Sequence, residues 1–128
     1  HTLRLLTLPS AWDGFMQHNT TGTSCLGPLA GLQAQQKLYQ ASVNALANPE
    51  VTTLVLVTRA EASPLKEAAR TSQELGELGI RNQHLVINGV FRAVDSSDKL
   101  AVAMERRGEA ALAAMPEGLK ELPHSVVP

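Results

Sequence analysis

Three side chains stand out for the chemistry that their type and position allow. Cys25 is the only cysteine of the 128 residues, and a thiolate is a preferred ligand of soft ions. Arg59 and Asn88 each follow a short apolar segment with the composition of a buried strand. A lone cysteine is also common as a small buried residue, so its type alone leaves both roles open for Cys25.

The positions of Arg59 and Asn88 point to ligand binding at strand ends. Open α/β sheets bind ligands beyond the carboxyl ends of their strands. An asparagine amide offers one acceptor and two donors, which can pair with the edge of an adenine. The alternatives are that Asn88 only begins a turn at Gly89 and that Arg59 is a solvated charge. The pair Arg106 and Arg107 is interpreted as part of a solvated helix face.

No stretch of the sequence has the form of a phosphate-binding loop. Such a loop is rich in glycine and ends in lysine followed by a hydroxyl residue. The nearest stretch is GTSCLGP at residues 22–28, and it contains no lysine. Spacing alone also yields no nucleophilic dyad, closed metal site or paired acid and base, so the residues by themselves do not predict catalysis.

The secondary-structure elements predicted around these residues are those of an α/β fold. Strands are predicted at 52–58, 84–88 and around 126–127, and the first is apolar on both faces, which is typical of a buried parallel strand. Helices are predicted at 32–47, with a stripe of Leu38, Val43 and Leu46, and at 97–115. A further helix follows the first strand, with Ser63 as N-cap and Gly79 as the C′ residue. Together they predict a parallel strand–helix–strand crossover.

The amino-terminal part is less regular. Short helices are predicted at 2–8, where a strand is the rival assignment, and at 11–17. Residues 19–24 are small and polar, which predicts a loop with Cys25 at its far end. Because the chain opens on His1 within an apolar segment, we expect it to be a piece of something longer.

Composition limits the class of partner. Charged residues make up 18%, aromatic residues 3%, and the net charge is −1, so a nucleic-acid partner has neither electrostatic nor stacking support. No apolar run approaches the roughly 20 residues that span a bilayer, and no signal peptide is seen. We therefore expect a cytoplasmic protein.

Four segments resemble the arsenite-transporting ATPase family. They are HTLRLLTLP at residues 1–9, SCLGPLAGL at 24–32, LVLVTR at 54–59 and LVINGV at 85–90. His1 and Thr2 match the end of the family motif Asp-Thr-Ala-Pro-Thr-Gly-His-Thr, which couples the nucleotide site to the metalloid site. Taken in this order, the four segments look most like the first of the family's two tandem halves.

The resemblance implies a fold, cofactors and site residues. The fold would be α/β, a partial P-loop-NTPase-type three-layer fold with a short parallel sheet flanked by helices. Residues 1–128 would be the C-terminal part of one ATPase domain, inactive alone because the P-loop portion is absent. Cys25 and His1 would bind As(III) or Sb(III), an allosteric metalloid. Asn88 would contact the base of ATP, with Arg59 near the nucleotide, while ATP and Mg²⁺ belong to the whole domain.

The resemblance also implies partners. These are the remaining N-terminal part of the ATPase, its second half, a membrane arsenite permease and a metallochaperone, with no nucleic acid. The protein would be cytoplasmic and peripheral to the inner membrane through the permease.

Two alternatives remain open at this point. One is the related ATPase that delivers tail-anchored membrane proteins, although the Cys-x-x-Cys pair that many of those relatives carry is missing from the sequence. Residues 12–38 are also too polar for a good client groove. The other alternative is a non-enzymatic α/β binding module.

Overall fold

The computed structural model describes residues 23–24 and 27–128. The chain divides into two compact units, His1–Thr52 and Thr53–Pro128. The helices predicted at 2–8 and 11–17 lie outside the described residues, as do His1 and Cys25.

The first unit contains a small ladder and a long helix. Strand β1 (Thr23–Ser24) pairs antiparallel with β2 (Gly27–Pro28), and helix α1 spans Leu29–Ala47. The helix prediction is confirmed with an earlier start. The last two residues of the predicted loop form the first strand of the ladder, whose strands are too short to show a period. Leu38 is 68% exposed, so the stripe predicted on α1 is not buried along its whole length.

The second unit is built on a parallel sheet of three strands. Strands β3 (Leu54–Thr58), β4 (Gln83–Ile87) and β5 (His124–Val126) lie in the order β3–β4–β5, with β4 in the centre. The register sets Thr58 beside Ile87 and Ile87 beside Val126. The predicted α/β class and the parallel crossover are therefore confirmed, with the strand bounds shifted by one or two residues.

One face of this sheet forms the core. Helices α2 (Ala62–Glu77), α3 (Lys99–Ala113) and α4 (Glu117–Lys120) complete the unit. The largest fully buried side chains come from β4, from α2 and its end, and from α4, and they are Leu65, Ile80, Leu85, Ile87 and Leu119. Helix α4 was not predicted, because four residues after Pro116 carry no periodicity, yet its Leu119 is fully buried.

The other face of β3 is open. Val55 is 52% exposed and Val57 is 65% exposed. The prediction that this strand is buried on both faces is therefore wrong for the part of the chain that the structure describes. Apolar composition shows what a strand is able to bury, and the packing of the neighbouring elements decides which face it does bury.

Of the two predictions for the ends of α2, the N-cap was wrong and the C′ residue was right. Ser63 is not the N-cap: the helix begins at Ala62, and its N-cap, Glu61, makes no capping hydrogen bond through its side chain. Gly79 is confirmed as the C′ residue, with φ of 85°. Its amide donates to the carbonyl oxygen of Gly76 at 3.0 Å, and the amide of Ile80 donates to that of Leu75 at 2.9 Å. These two bonds form a Schellman motif, which satisfies the last carbonyl groups of the helix.

Candidate functional site

The ends of β3 and β4 bring two of the predicted site residues to one edge of the sheet. The backbone amide of Asn88 donates to the carbonyl oxygen of Thr58 at 2.8 Å, so the ladder extends one residue beyond β4. Arg59 directly follows Thr58. Arg59 and Asn88, each predicted to end a strand, therefore lie at the same edge of the sheet, while their contact with a nucleotide stays a prediction.

The backbone after Asn88 is fixed by a turn and by β5. Gly89 has φ of 68°, a conformation that residues with a Cβ rarely adopt. The amide of Val90 then donates to the carbonyl oxygen of Val127 at 3.0 Å. The side chain of Asn88 is exposed, and it makes no hydrogen bond within the described residues. Its amide group is thus held at a defined place and free to bind a ligand.

A cleft of about 170 Å³ lies at this edge of the sheet. Its walls come from the two strand-end loops and from one face of α3. The lining residues are 59–61, Gly89, Phe91, Met104, Arg107 and Gly108. A Cβ added to Gly108 would lie 3.7 Å from the carbonyl oxygen of Ala60, so α3 runs close to the loop after β3. Parallel sheets commonly bind ligands in a crevice of this kind.

The start of α3 is set by two aspartates. The Oδ1 of Asp98, the N-cap, accepts hydrogen bonds from the amides of Leu100 at 2.9 Å and Ala101 at 3.1 Å. One turn earlier, the Oδ1 of Asp95 accepts from the amide of Ser97 at 2.8 Å. Hydrogen bonds from the Ser97 side chain and then from its backbone lower the pKa of Asp95. The helix predicted at 97–115 is therefore confirmed with a later start and an earlier end, and its Met104 and Arg107 line the cleft.

Some of the charged residues that line the cleft form an ion pair within the described part of the chain and others do not. The Nε of Arg59 lies 3.3 Å from the Oε1 of Glu61, an exposed pair of the kind that contributes little to stability. Arg107 makes no ion pair or hydrogen bond with any residue that the structure describes. Near the same strand end, the Oγ1 of Thr58 is buried with no partner among the described residues. A buried polar group without a partner is unusual, and a water, an ion or a ligand that completes the site is one explanation for it.

Reasoning from sequence missed the wall formed by Phe91, Met104 and Arg107. The pair Arg106 and Arg107 was interpreted as a solvated face, and both are exposed, yet only Arg107 lines the cleft. The available signal was the helical spacing that places Met104, Arg107 and Gly108 on one side of α3.

The described residues lack two other kinds of site. Across 23–24 and 27–128, no group of three or more histidine, cysteine, aspartate or glutamate residues is placed to hold a metal ion. No helix in the same ranges combines the length and apolarity needed to cross a membrane.

Comparison with known proteins decides the family. The model of the family described as anion-transporting ATPase matches residues 1–127. The chain belongs to this family. An arsenical pump-driving ATPase of Acidiphilium multivorum is 52% identical over 124 residues, which cover 96% of this chain and 21% of the relative.

Other relatives of the family carry similar names. An arsenical pump-driving ATPase of Escherichia coli is 52% identical over 96% of this chain and 21% of its own length. A putative arsenical pump-driving ATPase of Halobacterium salinarum is 35% identical over 70% of this chain and 14% of its own length. The chain thus spans about a fifth of the length of the Acidiphilium and Escherichia relatives. None of these names favours the targeting ATPase or the non-enzymatic module.

Proposed function

We propose that the longer protein carrying this chain is an ATPase that couples ATP hydrolysis to the extrusion of arsenite and antimonite. The observation that carries the proposal is the 52% identity over 96% of the chain to arsenical pump-driving ATPases. Residues 1–128 are then the C-terminal part of one ATPase domain, with the phosphate-binding loop supplied from elsewhere. The chain alone does not hydrolyse ATP.

Within this proposal, the strand-end site binds the nucleoside part of ATP. Its support is the shared edge at which Asn88 and Arg59 lie, with the Asn88 amide group free to pair with the base. In this proposal Mg²⁺ and the phosphates of ATP belong to the whole domain, where the metal would neutralise phosphate charge during hydrolysis.

Cys25 and His1 bind the metalloid in this proposal, and the support is chemical. Trivalent arsenic and antimony are soft and prefer thiolate, and Cys25 is the only thiol of the chain. Both residues match family positions by sequence. Metalloid binding draws the two halves of the ATPase together and accelerates hydrolysis. The partners are the second half, a membrane permease on whose cytoplasmic side the ATPase docks, and a metallochaperone.

The test is metalloid-stimulated hydrolysis by the full-length protein. Cys25→Ser keeps the size of the side chain but replaces a soft ligand with a hard one. We expect basal hydrolysis of ATP to persist and stimulation by antimonite to disappear. Stimulation that is unchanged in the variant would reduce Cys25 to a packing residue, and a full-length protein without ATPase activity would refute the function itself.

A further inference from the structure

The strand-end cleft exposes two large apolar side chains on its walls. Phe91 is 46% exposed and Met104 is 51% exposed, and both line the cleft. They come from different elements, the loop after β4 and helix α3. A phenyl ring and a thioether both make favourable contacts with planar aromatic rings. Apolar residues beside a few polar groups in a concave site are the usual composition of a small-molecule pocket.

The polar groups of the cleft complement a base with both an amine and ring nitrogens. Arg107 has no partner among the described residues, and its guanidinium can donate to a ring nitrogen or stack on a ring. Glu61 presents a carboxylate, which accepts hydrogen bonds from an exocyclic amine. Its present partner, Arg59, is an exposed residue held by a single contact of 3.3 Å. The donor Arg107, which has no described partner, and the acceptor Glu61 thus stand beside two apolar side chains.

The size of the cleft limits which part of a nucleotide it can hold. Its volume is about 170 Å³, below the roughly 300–1,000 Å³ of pockets that enclose a drug-sized ligand. The cleft therefore suits one ring system, with the sugar and phosphates outside it. The cleft shares Arg59 with the site argued above, and its lining residue Gly89 directly follows Asn88 in the chain.

We propose that Phe91, Met104 and Arg107 hold the purine ring of the bound nucleotide, and that Arg107 helps to select the base. The proposal rests on the function proposed above and adds to it. It assigns base binding to Phe91 and to two residues of α3, which the sequence did not indicate. These residues act in addition to the strand-end residues Asn88 and Arg59.

The experiment measures binding of ATP, GTP and inorganic tripolyphosphate to the full-length protein by calorimetry. The variants are Phe91→Ala, Met104→Ala and Arg107→Gln. Two matched controls lie on the same helix outside the cleft: Leu100→Ala, where the side chain is 72% exposed, and Arg106→Gln. We expect each cleft variant to lose about 5- to 100-fold in ATP affinity, the range for loss of a contact to a base.

The other measurements separate base binding from general damage. Tripolyphosphate has no base, so its affinity should stay the same in every variant, and both controls should bind ATP as the unmodified protein does. Arg107→Gln should also change the ratio of ATP to GTP affinity by about fivefold or more. Cleft variants that match their controls, or that lose tripolyphosphate affinity in parallel, would overturn this proposal alone. An unmodified protein that binds none of the three ligands would instead refute the proposed function.

Discussion

The hydroxyl of Ser72 on α2 donates a hydrogen bond of 2.6 Å to the Oε1 of Gln83, the first residue of β4. The Nε2 of Gln83 donates to the carbonyl oxygens of Ile80 at 2.7 Å and Ser72 at 3.2 Å. Gln83 is only 6% exposed. Its amide group therefore has partners on both sides, and it ties the helix to the strand within the core.

Replacing the amide group of Gln83 should destabilise the second unit strongly, although the change in side-chain size is small. Gln83→Glu keeps the shape but removes the donor and places a charge against the carbonyl oxygen of Ile80. We expect a loss of about 2–4 kcal/mol in the free energy of unfolding at pH 7, measured by urea denaturation. Gln35→Glu is the control, because Gln35 is exposed on α1, and it should change stability little. Equal effects of the two substitutions would contradict the role given to Gln83.

Two glycines near the end of α2 should respond in opposite directions to alanine. Gly76 lies inside the helix, and among the described residues no atom outside the local helix backbone lies within 4 Å of an added Cβ, so Gly76→Ala should stabilise the protein by about 1 kcal/mol. Gly79 has φ of 85°, which alanine tolerates poorly, so Gly79→Ala should destabilise it by about 1–2 kcal/mol. Thermal unfolding of both variants checks the sign, and a shift in the same direction would disprove the argument.

The surface of α2 carries a charge cluster that should titrate at low pH. Hydrogen bonding from Arg70, and then its charge, lowers the pKa of Glu67, and Arg70 also lies 3.3 Å from Glu74. A lowered folded pKa means that the stabilising contact is present above the ordinary glutamate range and is lost as the pH falls through the lowered pKa. Arg70→Gln should return the Glu67 titration, followed by carboxyl NMR shifts, toward its ordinary value. A titration unaffected by this substitution would show that the contact does not persist in solution.

Asn88 is the residue on which the base-binding proposal can be tested most simply. In the full-length protein, Asn88→Ala should weaken ATP binding by about 5- to 150-fold through lost hydrogen bonds worth about 1–3 kcal/mol. It should also narrow the preference for ATP over GTP. The melting temperature should stay close to that of Asn44→Ala, a control on the exposed face of α1.

Two outcomes would contradict this role of Asn88. If ATP affinity and base preference are both unchanged, Asn88 only ends a strand. If the melting temperature falls sharply, the Asn88 side chain has a structural role, since the backbone bond to Thr58 is retained in the variant.

The strand ends could be predicted from sequence because local composition fixes them. The apolar run up to Thr58 and the run up to Ile87 each form a parallel strand, so Arg59 and Asn88 fall at one edge whatever the details of packing. The role of Gly79 as the C′ residue could also be predicted, since a left-handed residue after a helix is usually glycine and sometimes asparagine. The family was readable from four short segments.

The wall of the cleft could not be predicted in the same way. Met104 and Arg107 face the strand ends only because α3 runs beside Ala60, a contact between residues far apart in sequence. The N-cap at Glu61 was missed for a different, local reason: its carboxylate lies beside Arg59 and does not cap the helix, so the usual side-chain signal of an N-cap is missing. Long-range packing also decides that Leu119, in a helix of one turn, is fully buried.

Because β3 lies at one side of the sheet, only some of its backbone amides donate hydrogen bonds to a neighbouring strand. Along a parallel strand, successive N–H groups point alternately to the two neighbours. The amide of Leu54 donates toward β4, so those of Leu56 and Thr58 do the same, while those of Val55 and Val57 point to the side where no described strand lies. Deuterium uptake along β3 should therefore alternate between slow and fast from one residue to the next. In the longer protein, slowing at the two valines alone would report a strand that pairs with this side.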